Sequence, residues 1–294
     1  MIEEVEQVTR PTKSTQFYIF NLFADYIVPH GGRAWTSDLL YLLGLIGVSD
    51  RAARSTLSRM RQRGWFETLK EGRRSRYELT ERGAAILKEG DKRIFEEPFA
   101  DWDGIWHLVV YSLPEEKRKL RNELRKKLIW FGFGNLAPGT WVSSHDRQAE
   151  LEPILSDLGV RHYVNLFVGQ HIGTSDLELV ARCWDMPALQ KEYDAFLRRY
   201  QPAYDTFRQA VADKAKGNKG NDPDDAFSPE ACFAKRFWLT FDFQPFPRKD
   251  PNLPTVLLPD DWSGYRARQL FLQYRQILSD GMQDFIAQTL KGNR

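Results

Sequence analysis

SDRAARSTLSRMRQRGWFETLKEGRRSRYEL, residues 49–79, holds a helix with its arginines on one face and then a tight basic hairpin. At 3.6 residues per turn, 51–63 puts Ala52, Ala53, Thr56, Leu57 and Met60 on one arc. The opposite arc carries Arg51, Arg54, Ser55, Ser58, Arg59, Arg61 and Gln62. Ser49 or Asp50 supplies an N-cap oxygen, and Gly64 ends the last turn. A solvated helix face interleaves acids at i,i+4, and none occurs between Arg51 and Arg63. Trp65–Lys70 and Arg76–Leu79 have strand character, and EGRRS between them supplies turn residues.

Upstream, Lys13–Val28 carries Phe17, Phe20, Leu22, Phe23 and Ile27 at helical spacing, and Ser37–Leu45 is a shorter apolar helix behind Thr-Ser capping residues. Thr80 caps one more helix, through Leu87 and ending near Gly90. Two helices, a basic helix and a hairpin make the order of a winged helix-turn-helix that reads duplex DNA. The expected contacts are Ser49, Arg51, Arg54, Ser55, Ser58, Arg59, Arg61 and Gln62 on the helix and Arg73, Arg74 and Arg76 on the wing. A guanidinium fork grips a phosphate or a guanine edge with two bonds at once.

With 294 residues the chain has room for two or three domains, and 42% hydrophobic content supports a folded chain. The formal charge is only +2, so affinity for nucleic acid must come from local clustering. No apolar run is long enough to span a bilayer and the polar start MIEEVEQVTRPTK lacks a signal-peptide core, so the expectation is a soluble, cytoplasmic protein without a membrane partner. Cys183 and Cys232, far apart and outside any CxxC, read as buried small hydrophobes.

From 105 to 168 the pattern runs strand, helix, strand, strand, helix, strand: Trp106–Ser112, a helix with the stripe Leu120, Leu124, Leu128 and Phe131, Phe133–Leu136, Thr140–Ser143, a helix from Asp146 to Leu158, and Tyr163–Val168. That is the ferredoxin-like βαββαβ order. Its first helix is rich in bases, among them Lys117, Arg118, Arg121 and Arg125, which read either as a solvated face or as a strip for an anionic ligand. GFGNLA at 132–137 follows a helix, where a dinucleotide fingerprint must follow a strand. Beyond it, Leu189–Val211 keeps helical register with a kink expected at Pro202, 214–225 is a polar loop, a helix opens at Ser228-Pro229, and the last helix runs from about Gly264 to Leu290. The aromatics of this tail (Phe233, Phe237, Trp238, Phe241, Phe243, Phe246, Trp262, Tyr265, Phe271, Tyr274) suit a core first, and otherwise a dimer seam or an aryl pocket. The expected architecture is α+β and multidomain: a winged helix-turn-helix at 1–92, a ferredoxin-like domain at 93–175 and an α-helical C-terminal domain at 176–294.

TKSTQFYIFNLFADYI, GVSDRAARSTLSRM, WHLVVYSLPEEKRKLRNELRKKLIWFGFGNLAPGTWVSSH and the helix after LLPDDW together resemble the PaaX family of bacterial repressors of phenylacetate and related aromatic catabolism. The resemblance implies a homodimer on a palindromic operator, released by an aryl-acyl-CoA thioester. CoA phosphates would meet Lys117, Arg118, Arg121 and Arg125, with Trp130, Phe131 and Trp141 close by for the acyl group. The middle domain is also similar to CRISPR-associated ferredoxin-like endonucleases, whose first strand ends in a metal-binding Asp; here Ser112 stands there, and a neutral hydroxyl cannot replace that carboxylate. The metal-dependent endonuclease is therefore the alternative reading. No HExxH, GxSxG or P-loop is present and the five histidines show no ligand spacing, so no catalytic residue, metal or cofactor is expected. A pure scaffold would account for the aromatic tail but leave the arginine arc idle.

Overall fold

The computed structural model describes residues 15–91, 101–215 and 227–291. It is α+β, with two antiparallel sheets and eleven α-helices among the described residues. The chain divides into two compact units, 1–92 with 203–242 and 271–294, and 93–202 with 243–270.

The first unit opens with α1 (Thr15–Leu22), which passes into a π-helical turn over Phe23–Ile27 and a 3-10 turn over Val28–His30. The continuous helix expected from Lys13 to Val28 is thus interrupted, and Lys13 lies outside the described residues. The extra residue of a π turn shifts the buried stripe. Phe17 is left 47% exposed while Ile19, Leu22, Phe23, Tyr26 and Ile27 are buried. Then come β1 (Arg33–Trp35), α2 (Thr36–Leu45), α3 (Asp50–Gln62), β2 (Phe66–Glu71), β3 (Arg74–Leu79) and α4 (Glu81–Asp91). The hydroxyl of Thr36 does not cap α2 but donates to the Ser75 carbonyl, 2.9 Å away, so the helix starts one residue before the expected Ser37. Strand order is β1-β3-β2, with Trp35 opposite Arg76 and Phe66 opposite Leu79. Phe23 packs on Phe66 at 4.5 Å between ring centroids, closing a core with Leu39, Leu42 and Leu57.

In the second unit β4 (Trp106–Tyr111), α5 (Arg118–Trp130), β5 (Gly134–Ala137), β6 (Thr140–Ser143), α6 (Gln148–Asp157) and β7 (Val164–Gly169) follow one another, and the sheet has the order β5-β6-β4-β7. Leu124 and Leu128 of α5 and Leu151 and Leu155 of α6 join Val109, Trp141 and Val164 in one core. A short helix that the sequence pattern does not announce, α7 (Asp176–Cys183), is capped by Ser175, whose side chain accepts from Glu178 N. It explains Gly134: a Cβ there would lie 2.6 Å from Cys183 Cβ and from the Trp184 ring.

The tail consists of α8 (Met186–Ala215), α9 (Pro229–Phe243), α10 (Phe246–Lys249) and α11 (Ser263–Thr289). Pro202 lies inside helix α8, which does not end there. The polar stretch expected as a loop lies largely outside the described residues. Residues 176–294 contribute to both compact units. Of the ten tail aromatics, Phe233, Phe237, Phe241, Phe243, Phe246, Trp262, Phe271 and Tyr274 are buried, which makes them core; Trp238 and Tyr265 are half-buried. Cys232 is buried, but Cys183, at the open end of α7, is only partly so, contrary to the expectation for both.

Candidate functional site

Helix α3 is bounded by Ser49, whose Oγ accepts from Ala52 N at 3.4 Å, and Gly64, in the left-handed region at φ +70°. Ala53, Thr56, Leu57 and Met60 are buried. Arg51, Arg54, Ser55, Arg59, Arg61 and Gln62 are exposed and Ser58 and Ala52 are half-buried, so the two arcs expected from periodicity are separate surfaces. Arg59 Nη2 donates to Thr56 Oγ1 at 3.1 Å. Arg63, which sequence periodicity did not single out, extends this surface: it donates to Gln16 Oε1 at 3.0 Å and its guanidinium lies 5.0 Å from the centre of the Trp65 ring.

The hairpin behaves less uniformly than three equivalent arginines would. Arg73 is exposed in the turn between β2 and β3. Arg74 and Arg76 both lie over the Trp35 ring, 4.4 Å and 5.5 Å from its centre. Arg76 also pairs with Glu71, and Arg33 pairs with Glu78 at 2.8 Å. Trp35 gives no signal in the sequence because β1 is three residues long and shows no alternation.

A deeply placed charge cluster lies in the same unit. Asp25, in the π turn, is 3.0 Å from Arg275 Nη2 of α11 and 3.7 Å from Arg236 Nη1 of α9. Arg236 Nε donates to Ser279 Oγ at 2.9 Å and its guanidinium stacks 4.7 Å over the Tyr26 ring. Burial pushes the Tyr26 phenol far above its usual value, so it stays neutral.

In the second unit, a cleft of about 430 Å³ opens beside α5. Its lining includes Arg121 and Arg125, one turn apart on α5, with Asn122, Ser112, Asn135, Tyr111 and Trp141. Arg121 is held by Glu115 at 2.9 Å. The Trp141 indole donates to the Tyr111 hydroxyl at 3.3 Å, and Asn135 spends its amide hydrogens on the carbonyls of Ala137 and Thr140. No carboxylate lines the cleft, so its chemistry favours an anion. Of the seven residues expected around an effector, it gathers Arg121, Arg125 and Trp141. Lys117 lies over the Tyr163 ring, Arg118 reaches Glu115 at 3.9 Å, Trp130 lies under Arg248, and Phe131 packs against the core. Ser112 and Asn135 were missed as lining because the fold, not the sequence, brings them to Arg121, and Asn122, its neighbour in sequence, because it carries no charge. Ser112 sits where β4 ends, and among the described residues no group of three or more His, Cys, Asp or Glu side chains is placed to hold a metal ion.

Three family descriptions match successive stretches: PaaX-like protein over residues 14–83, PaaX protein central Cas2-like domain over 99–181, and PaaX-like protein C-terminal domain over 184–288. The transcriptional repressor PaaX of Escherichia coli (strain K12) is 30% identical over 274 residues, covering 92% of this chain and 82% of the relative. A solved structure, the uncharacterized protein Rv0674 from Mycobacterium tuberculosis, shares the fold with a TM-score of 0.60 at 20% identity, over 94% of this chain and 99% of that one.

Proposed function

The chain belongs to the PaaX family, and from that premise we propose that it is a transcriptional repressor, not an enzyme, that binds duplex operator DNA through α3 and the β2–β3 hairpin. In this reading, residues 1–92 are a winged helix-turn-helix, 93–175 a ferredoxin-like domain and 176–294 a C-terminal helical domain. The observation that carries it is the face of α3: Arg51, Arg54, Arg59 and Arg61 exposed with no acid among them, backed by a buried apolar face. A homodimer would set two copies of α3 in successive major grooves of a palindrome. A DNA reader works where the DNA is, in the cytoplasm, and no described helix is long and apolar enough to cross a membrane.

The test is Arg54→Ala combined with Arg59→Ala. If each arginine grips a phosphate, the dimer loses four contacts and the slope of log K against log salt becomes shallower by about 3.6, at 0.9 per contact. An unchanged slope and affinity would remove α3 as the reader.

Release follows from an effector that prefers the DNA-free conformation, and moving a population from 99% to 1% bound takes about 5.5 kcal/mol of differential affinity. The proposed effector is an aryl-acyl-CoA thioester such as phenylacetyl-CoA, its phosphates drawn to Arg121 and Arg125 and its acyl group toward Trp141. The absence of carboxylates from the cleft supports this placement. Titrating the DNA complex with phenylacetate, phenylacetyl-CoA and CoA alone separates the cases: release by the free acid only would exclude the thioester, and release that survives Arg121→Ala with Arg125→Ala would place the effector elsewhere.

A further inference from the structure

We propose that Trp35 is a positioning residue of the DNA interface, an indole platform that aims Arg74 at the phosphate backbone. The proposal rests on the DNA-binding reading of α3 and the hairpin.

Strand pairing places Trp35 opposite Arg76, and Arg74 two residues earlier on β3 projects from the same face of the sheet. That face is the outer one, since Ala34 and Phe66 on the other face are buried. On it Arg33 pairs with Glu78 and Arg76 with Glu71. Arg74 lies nearer the Trp35 ring than Arg76 does, 4.4 Å against 5.5 Å from its centre, at the end of the strand that leads into the exposed turn at Arg73. Immediately after Trp35, Thr36 donates to the carbonyl of Ser75, the residue between the two stacked arginines, so indole and strand are fixed to each other on both sides.

This geometry suits phosphate binding. Stacking engages the face of the guanidinium plane, whereas a phosphate is bound through its edge, so the two interactions are compatible. A guanidinium already held on a ring loses less rotamer freedom when it binds than one on a mobile stem. Trp35 thereby acts through Arg74, without needing to touch DNA itself.

The experiment is a double-mutant cycle on the full-length chain, using a duplex of about 30 base pairs selected from a random pool by the wild type. Trp35→Leu is expected to weaken binding about two- to fivefold, Trp35→Phe to restore most of that loss, and Trp35→Leu to have almost no further effect in an Arg74→Ala background. Thermal melts report whether each variant is folded; if Trp35→Leu is not, the same cycle run with Trp35→Met, which also lacks a ring, keeps the test. Independent, multiplicative effects of Trp35 and Arg74 would overturn the proposal, as would full affinity of a folded variant without the ring, Trp35→Leu or Trp35→Met, while Arg54→Ala with Arg59→Ala weakens binding. If that α3 pair leaves affinity intact, the DNA-binding reading itself fails and takes the proposal with it.

Discussion

Replacing Asp25 by Asn should cost the first unit about 3–5 kcal/mol, the range for removing one partner of a buried ion pair. The number follows from what remains behind. The Asp25 side chain is 11% exposed, and Arg236 and Arg275 on its two sides are 8% and 22% exposed. Without the carboxylate, two guanidinium groups face each other in a poorly solvated place, and Asn offers a carbonyl oxygen but no charge. Ser279 and the Tyr26 ring still contact Arg236, but neither neutralises it. For a unit of this size a loss of 1 kcal/mol lowers the melting temperature by roughly 2–4 °C, so the expected drop is roughly 6–20 °C. Circular dichroism melts, with urea titration for the free energy, would measure it. Replacing all three members by apolar residues, Asp25→Leu with Arg236→Met and Arg275→Leu, should recover much of the loss, because an apolar cluster carries no desolvation penalty. If Asp25→Asn costs less than about 1 kcal/mol, the upper range for an exposed pair, or if the triple variant is worse than the single one, the cluster is not a buried ionic tie and the reasoning fails.

Two further outcomes are expected. Gly139→Ala strains a backbone at φ +75° and places a Cβ 2.4 Å from the Tyr111 carbonyl oxygen; the strain alone costs about 1–3 kcal/mol. Gly104→Ala, at φ +79° with nothing within 4 Å, carries the strain only, so a urea midpoint for Gly139→Ala no lower than for Gly104→Ala would deny the clash. Burial pushes the Cys183 thiol up to about 11, with Arg182 opposing weakly. Since only the thiolate attacks, labelling of a Cys232→Ala variant at pH 8 should run about 100-fold below the rate of a thiol with the ordinary value of 9.0 and rise about tenfold per pH unit up to 11; a rate that is flat with pH would contradict a desolvated thiol.

The basic helix α3 was legible because everything that defines it is local. Ser49, the i,i+3 and i,i+4 apolar positions, the unbroken basic arc and Gly64 all fall within sixteen consecutive residues. The order of strands and helices from 106 to 169 was legible for the same reason, since each element carries its own period and its own turn. What stayed hidden depends on partners distant in sequence. Trp35 acquires meaning only through β3, about forty positions on, and three residues are too few to show a strand's alternation. The π turn at Phe23–Ile27 preserves the composition of a helix while changing its register, so no periodicity argument on Phe17, Phe20 and Phe23 could find it. Two of the ten lining residues, Arg121 and Arg125, were visible as bases of α5, but Ser112 and Asn135 join them only because the end of β4 and the strand β5 come beside that helix.

The Asp25 cluster shows why composition also misleads about boundaries. The sequence pattern puts domain boundaries after residues 92 and 175, yet Asp25 is 250 residues from Arg275 in sequence and 3.0 Å from it in space. Tyr26 likewise packs on Phe233 and Tyr18 on Trp238. Buried contacts of this kind, not the position of a linker, determine which residues fold together. Because α1 packs on α9 through Tyr18, the π turn after it is tied to α11 through Asp25, and Gln16 of α1 accepts from Arg63 at the end of α3, the basic surface depends on residues from the far end of the chain. On the proposed reading, a mutation in the tail can therefore change DNA binding without touching the arginines of α3.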